Sequence, residues 1–294
     1  MNTQDLIKPR RQANWDWRAA GNFICGGSGC GLLLFSAIVA GPNVAYRPLG
    51  AAGLSLIALG LFCVSLEIGR PLRSMNVLLH ARTSWMTREA LVAAPLFLCG
   101  ALAVWTHGAL WVWLTALLAL LFLYCQARIV NAAKGIAAWR VQGTVPLFMV
   151  TGLTEGAGLL TLVLALSDTL PLANWLAAVL APLLIARGLL WRAYRKELAA
   201  PGTPKQTLAV LDAVELPLIK IGHWAVLVLL LLALATPLTF SAWLAAVAGL
   251  LAAGGGWLLK YTLIVRASFN QGYALSRLPV RGGAAPSSRL DATS

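Results

Sequence analysis

The sequence predicts an all-α integral membrane protein, with eight transmembrane helices arranged as two four-helix bundles and both termini in the cytoplasm. Three observations predict it. Hydrophobic residues make up 59% of the 294 and charged residues only 11%, with a mean hydropathy of +0.77; a soluble domain carries about 25% charged residues. Eight apolar runs fall at about 20–41, 48–68, 89–106, 109–127, 145–166, 172–191, 217–237 and 241–265, each near the roughly 20 residues a helix needs to cross a bilayer. The basic residues also alternate between the joints, 22 of 23 falling on one side and only Arg47 on the other. Together these exclude a soluble globule, a disordered chain and a disulfide scaffold. The runs are continuous rather than alternating, which excludes a β-barrel and leaves helices to satisfy the backbone in lipid.

Residues 1–19 read as a cytoplasmic N-tail. Lys8, Arg10 and Arg11 precede a first run too long for the core of a signal peptide, so it reads as a retained span. That span carries Gly27-x-x-x-Gly31, which predicts close helix packing; a flat face for a cofactor is the alternative. Gly254-Gly255-Gly256 in the last span reads the same way. Residues 20–130 form the expected first bundle, including a partner-docking loop at 69–88, and 131–266 the second. The joints at Thr106–Gly108, Ser167–Pro171 and Thr236–Leu238 are short. Residues 267–294 read as a disordered cytoplasmic tail, because the stretch from Pro279 is small, polar and rich in Pro and Gly. Trp15, Trp17, Trp85, Trp105, Trp111, Trp139, Trp191 and Trp224 lie near span edges, as interfacial belts require.

The net charge of +13 follows from cytoplasmic loops that accumulate Lys and Arg, and no basic stripe with interleaved aromatics points to nucleic acid. Cys25, Cys30, Cys63, Cys99 and Cys125 all lie in apolar runs without C-x-x-C spacing and read as small buried hydrophobes rather than ligands. No metal site is expected. Of three histidines, only His80 and His223 lie on one side, both near the surface, which does not suit a haem held between helices.

Ionisable groups inside a membrane are expensive, so each is a candidate functional group. They are Glu67 at the end of the second span, Glu155 about 15 Å into the fifth at 1.5 Å per residue, Lys220 and His223 opening the seventh, and Lys260 and Arg266 closing the eighth. Glu155 reads as a packing acid paired with a hydroxyl, or else as part of a proton path. The densest polar stretch runs from Glu67 to Glu89. Pro71, just after Arg70, stops the helix there, and Arg73, Asn76, His80, Arg82, Ser84, Trp85 and Arg88 follow. It reads as the roof of a polar pocket and a partner contact, or as a solvated basic loop.

The stretch EIGRPLRSMNVLLHARTSWMTREA, 67–90, resembles the loop after the second helix in membrane-anchor subunits of the dimethyl sulfoxide reductase and polysulfide reductase type. ARIVNAAKGIAAWRVQGTVPLFM, 127–149, and NWDWRAAGNFICGGSGCG, 14–31, resemble the segment after their fourth helix and their first helix. The resemblance implies a non-catalytic or quinone-reactive subunit of an oxidoreductase complex in the bacterial inner membrane. It implies a bound menaquinone or ubiquinone in the first bundle and no haem or Fe–S cluster in this chain. Its implied partners are a four-cluster Fe–S subunit and a molybdopterin catalytic subunit, with electrons passing between the Fe–S subunit and the quinone pool. The implied cofactor-binding residues are Asn22, Glu67, Arg70, Asn76, Ser84, Arg88 and Glu89, with Glu67 exchanging protons. Glu rather than His at 67 departs from the dimethyl sulfoxide reductase pattern, although a carboxylate can serve.

The positive-inside count puts the Glu67–Glu89 loop, and hence the partners, in the cytoplasm. A complex resembling a phenylacetyl-CoA:acceptor oxidoreductase fits that orientation. Two rivals stand beside this reading: a secondary transporter using Glu155 and Lys220, and a purely structural anchor without a quinone site.

Overall fold

The computed structural model describes residues 9–67, 82, 84–167, 170–199 and 202–271; for 170–177, 238 and 239 it describes the backbone alone. All regular structure among them is helical. In chain order it comprises α1 (Trp17–Ala40), α2 (Tyr46–Ser65), α3 (Trp85–Thr106), α4 (Ala109–Ala132), the short α5 (Ala137–Arg140), α6 (Thr144–Leu166), α7 (Leu170–Leu198) and α8 (Lys205–Leu216). A π-helical segment, Pro217–Ala225, then leads into α9 (Val226–Ala235). Last come α10 (Leu238–Tyr261) and a second π-helical turn, Thr262–Arg266.

Seven segments among the described residues are long and apolar enough to cross a membrane: Trp17–Ala40, Tyr46–Ser65, Trp85–Thr106, Ala109–Ala132, Thr144–Leu166, Lys205–Ala235 and Phe240–Arg266. The remaining expected span, 172–191, falls within α7, where the side chains of 170–177 lie outside the described residues.

Local chemistry sets the boundaries. The Asp16 carboxylate accepts from the Arg18 backbone N–H at 2.8 Å and starts α1. The Ser84 hydroxyl accepts from the Thr87 N–H at 3.3 Å and starts α3. His107 ends α3 in the left-handed region (φ 55°), its N–H donating to the Ala103 carbonyl, which lets the chain turn into α4 within two residues. Two helices run beyond the expected spans. α7 continues to Leu198, and the last apolar segment before α10 begins at Lys205 rather than 217. These extensions carry the polar residues that hydropathy leaves out. Arg195 of α7 pairs with Asp212 of α8 and lies 3.9 Å from Glu215.

Large apolar side chains cover much of the surface, as lipid contact requires, and the apolar interior also admits polar side chains. Phe62, Leu98, Trp105, Leu117 and Leu231 are exposed, while Ser28, Ser36, Thr115, Thr151, Thr154 and Thr161 are buried. α1 is the shared element: it packs against α2 and α4 on one side and α6 and α10 on the other. Missing side chains permit this. A Cβ on Gly31 would stand 2.4 Å from the Gly152 carbonyl oxygen, and one on Gly156 would stand 2.1 Å from the Gly31 carbonyl carbon. Gly27-x-x-x-Gly31 of α1 thus crosses Gly152-x-x-x-Gly156 of α6 in direct backbone contact, which is the packing reading of the glycines. The same close approach joins Gly29 to Gly53 of α2, and Gly158 to Gly249 of α10. Of the late triplet, Gly255 packs on Gly222 and Gly256 on Glu155, whereas a Cβ on Gly254 would meet nothing within 4 Å.

Three sequence expectations change. Trp139 and Trp191 are core rather than interfacial residues. Trp139 stacks on Trp15 at 4.7 Å and donates to the Leu263 carbonyl at 2.8 Å, while Trp191 stacks on Tyr194. Arg187 and Lys260, counted with the loop charges, are buried inside the helix assembly. Residues 267–271, at the start of the expected disordered tail, are held in place. Phe269 bridges Arg11, Asn270 bridges Ile136, and the Asn270 side chain accepts from the Arg10 N–H at 2.8 Å. Asn22 is buried in the helix assembly.

Gly156→Val would drive a branched side chain into the α1 backbone. It should lower the thermal unfolding midpoint, with a cost of at least the ~1–3 kcal/mol typical of overpacking. Gly254→Ala, measured alongside, should leave the midpoint unchanged or slightly raised.

Candidate functional site

Two buried polar clusters lie against α1. The first joins α1, α3 and α4. Asn22 lies five residues into α1, Glu89 four residues into α3 and Gln126 six residues before the end of α4. Chain direction brings all three to the same end of the assembly, and all three are buried, at 4%, 7% and 1% exposure. Gln126 Nε2 donates to the Asn22 backbone carbonyl at 3.2 Å, and the Glu89 carboxylate lies within electrostatic reach of the Asn22 and Gln126 side chains. One oxygen on each side chain is left without a partner: Asn22 Oδ1, Glu89 Oε1 and Gln126 Oε1. Glycines make room for the cluster. A Cβ on Gly26 would sit 2.3 Å from Gln126 Nε2, and one on Gly60 of α2 would sit 3.2 Å from Asn22 Oδ1.

Buried polar atoms are nearly always hydrogen-bonded. Three unmet acceptors in one place, contributed by three helices, therefore suit a guest that brings hydrogen-bond donors.

Around this trio the other expected site residues take distinct positions. Ser84 caps α3. The Arg88 guanidinium lies over the Trp85 ring at 4.1 Å and donates to the Arg82 carbonyl at 2.9 Å. Arg128 reaches the same ring at 4.8 Å, and Tyr124 meets it edge-on. Glu67 lies just past α2, beside α1. Arg18, one turn before Asn22, donates to the Leu66 carbonyl at 2.8 Å. Partial burial pushes the Glu67 carboxyl above the ordinary range, and the Arg18 guanidinium offsets part of that rise. Arg18 also hydrogen-bonds Asp16 and holds that carboxyl below its usual value. Arg70 and Asn76 lie outside the described residues. The structure thus brings Asn22 and Glu89 together and adds Gln126, which sequence reasoning passed over; a lone Gln inside an apolar span was the available signal.

The second cluster joins α1, α6 and α10. Lys260 Nζ pairs with Glu155 Oε2 at 2.7 Å, both side chains being out of solvent. Lys260 also donates to the Phe23 carbonyl at 2.9 Å. Ser28 Oγ donates to Glu155 at 3.0 Å and accepts from Trp257 Nε1 at 2.9 Å. The expected hydroxyl partner of Glu155 is present, and Lys260 joins it.

Nearby, the buried Arg187 donates to the carbonyls of Ala252 (2.9 Å) and Gly222 (2.7 Å), and its Nε lies 3.4 Å from His223 Nε2. Among the described residues no three of His, Cys, Asp and Glu gather as metal ligands would.

A family model described as DMSO reductase anchor subunit (DmsC) matches residues 22–199. That range contains α1 from Asn22 onward, the whole Asn22–Glu89–Gln126 cluster and Glu155. No curated protein matches the chain.

Removing one partner of a sealed ion pair strands the other charge. Lys260→Met should cost ~3–5 kcal/mol in an unfolding assay. Lys260→Met combined with Glu155→Leu should cost less than the sum of the two single variants.

Proposed function

The chain belongs to the DMSO reductase anchor subunit (DmsC) family, and on that premise we propose that it binds quinone and passes electrons between a partner Fe–S subunit and the membrane quinone pool. The observation that carries the reading is the Asn22–Glu89–Gln126 cluster, with three buried unmet oxygens from three helices at one end of the membrane-embedded body. The partners in this proposal are an Fe–S subunit and a molybdopterin catalytic subunit. They dock on the cytoplasmic face of the bacterial inner membrane, over the basic end where α1 begins.

The residues present fit the guest. A quinol presents hydroxyl donors to unmet acceptors, and the side-chain amides of Asn22 and Gln126 can present N–H to a quinone carbonyl. When bound, this guest gives up or takes up two electrons and two protons.

This chain's residues then have separate tasks. Asn22 and Gln126 orient the ring oxygens beside the Glu89 carboxylate. Glu89 accepts or returns a proton at its free Oε1, the atom without a partner. Burial within α3 and the surrounding glycine-lined contacts keep bulk water from that atom. Glu67, at the end of α2 and tied to α1 through Arg18 and Leu66, passes the proton on to water at the rim. Arg88 and Arg128 clamp Trp85 one turn before Glu89, which positions α3 rather than touching the guest. Arg70 and Asn76 are further candidates for binding the guest in this proposal.

Glu89→Gln keeps the shape and removes the proton exchanger. Quinol-dependent turnover of the assembled complex should fall by roughly 100-fold or more, while activity of the catalytic partner with a water-soluble electron donor stays intact. Glu67→Gln should lower the same turnover by less, because water remains available at the rim. Undiminished quinol turnover in Glu89→Gln, with the partners bound, would contradict the assignment.

A further inference from the structure

A concavity lies away from the proposed quinone site, between α7 and the π-helical segment that leads into α9. It has a volume of about 130 Å³. Leu184, Gly188 and Arg192 form one wall, and Ile219, His223 and Leu227 the other. The two walls run antiparallel in steps of four residues, one helical turn each. From Arg192 to Leu184 the groove descends about 12 Å at 1.5 Å per residue, the length of a stretch of acyl chain.

Its shape has local causes. Gly188 removes a side chain from the wall, and a Cβ there would meet the His223 ring at 3.3 Å. Opposite it, the π-helical winding over Pro217–Ala225 displaces the backbone from a regular α-helical course. His223 is held facing the groove by its Nδ1 contact to the Leu218 carbonyl at 2.9 Å.

The surroundings state what can enter. The groove opens among Ile185, Leu189 and Trp224, which are exposed on the lipid-facing surface, so its occupant comes from the bilayer. Its rim carries a charge: Arg192 is exposed and, among the described residues, forms no ion pair. A second cation stands behind the wall, because Arg187 contacts His223 from the protein interior. The carboxylate that acts on Arg187 is Glu155, which is already paired with Lys260. Two buried cations share one anion, and the region is left positive. An apolar groove with a cationic rim at the membrane interface has the chemistry that selects an anionic headgroup.

We propose that this groove binds an anionic phospholipid, with its phosphate on Arg192 and one acyl chain lying between Leu184 and Leu227. The site is independent of the quinone assignment, since it uses none of the residues of the first cluster.

The test is native mass spectrometry of the full chain, with its co-purifying partners, released from nanodiscs of phosphatidylcholine doped with phosphatidylglycerol. Phosphatidylglycerol should stay bound in preference to phosphatidylcholine. Arg192→Gln should lose that preference and Arg192→Lys should keep it. Ile185→Trp, which fills the mouth without changing charge, should lose the bound lipid altogether. Both altered side chains lie on the surface, so unfolding midpoints measured in phosphatidylcholine alone should match the parent. Equal retention of the two lipids, unchanged retention in both Arg192→Gln and Ile185→Trp, or full displacement by inorganic phosphate would overturn the proposal. So would a dimer that separates in Ile185→Trp, since a second copy of the chain would then occupy the groove.

Discussion

The ion pair between Lys260 and Glu155 constrains the whole membrane-embedded body. Two charges in a lipid-embedded helix assembly persist only when they are sealed and each meets a partner. The partners converge on one oxygen of Glu155, Oε2, while Oε1 is buried without a partner. Lys260 meets a carboxylate and the Phe23 carbonyl, and Glu155 meets the ammonium and the Ser28 hydroxyl. The pair also dictates two glycines. A Cβ on Gly27 would stand 2.1 Å from Lys260 Nζ, and one on Gly256 would stand 2.6 Å from Glu155 Cγ. The pair therefore works only if α1, α6 and α10 meet almost backbone to backbone, and the glycine crossing of α1 with α6 provides that contact.

Fixing α1 against one cluster fixes what it presents to the other. Phe23, whose carbonyl receives Lys260, is the residue next to Asn22, whose carbonyl receives Gln126. Consecutive backbone carbonyls of one helix, about 100° apart around its axis, thus anchor two polar clusters. This gives the Asn22–Glu89–Gln126 cluster a rigid floor and leaves little freedom for its three unmet oxygens to find partners within the protein. A site whose side chains are held from behind in this way is preorganised for a guest that supplies the missing donors. The family to which the chain belongs, in which the subunit anchors a reductase complex to the membrane, gives that guest a role.

Much of this was legible from residue order, and what was hidden has physical causes. Hydropathy located the spans because lipid contact leaves a one-dimensional record. It missed the polar end of α7 and the whole of α8, where helix continues through ion pairs rather than apolar residues. Gly27-x-x-x-Gly31 announced a close crossing but not its partner, since Gly152-x-x-x-Gly156 lies more than a hundred residues away. Glu155 stood out as a buried acid and its hydroxyl partner was anticipated. Lys260, near the end of its span, was both named as an ionisable group of the span and counted with the loop charges, because position along a helix does not tell which way a long side chain turns. Trp139 and Trp191 were assigned to the interface for the same reason. Asn22 and Glu89 were named through resemblance. Gln126 was not, because a single neutral amide barely changes an apolar average even where it completes a site.

The central claim is that a quinone ring meets Asn22, Glu89 and Gln126 in the first half of the chain. A photoreactive quinone analogue, activated in the assembled complex and mapped by peptide mass spectrometry, tests it most directly. Label is expected on the α1, α3 and α4 peptides that contain those three residues, competed away by unlabelled quinone. Competable label confined to α6–α10, or none at all in a complex with its partners bound, would contradict that claim.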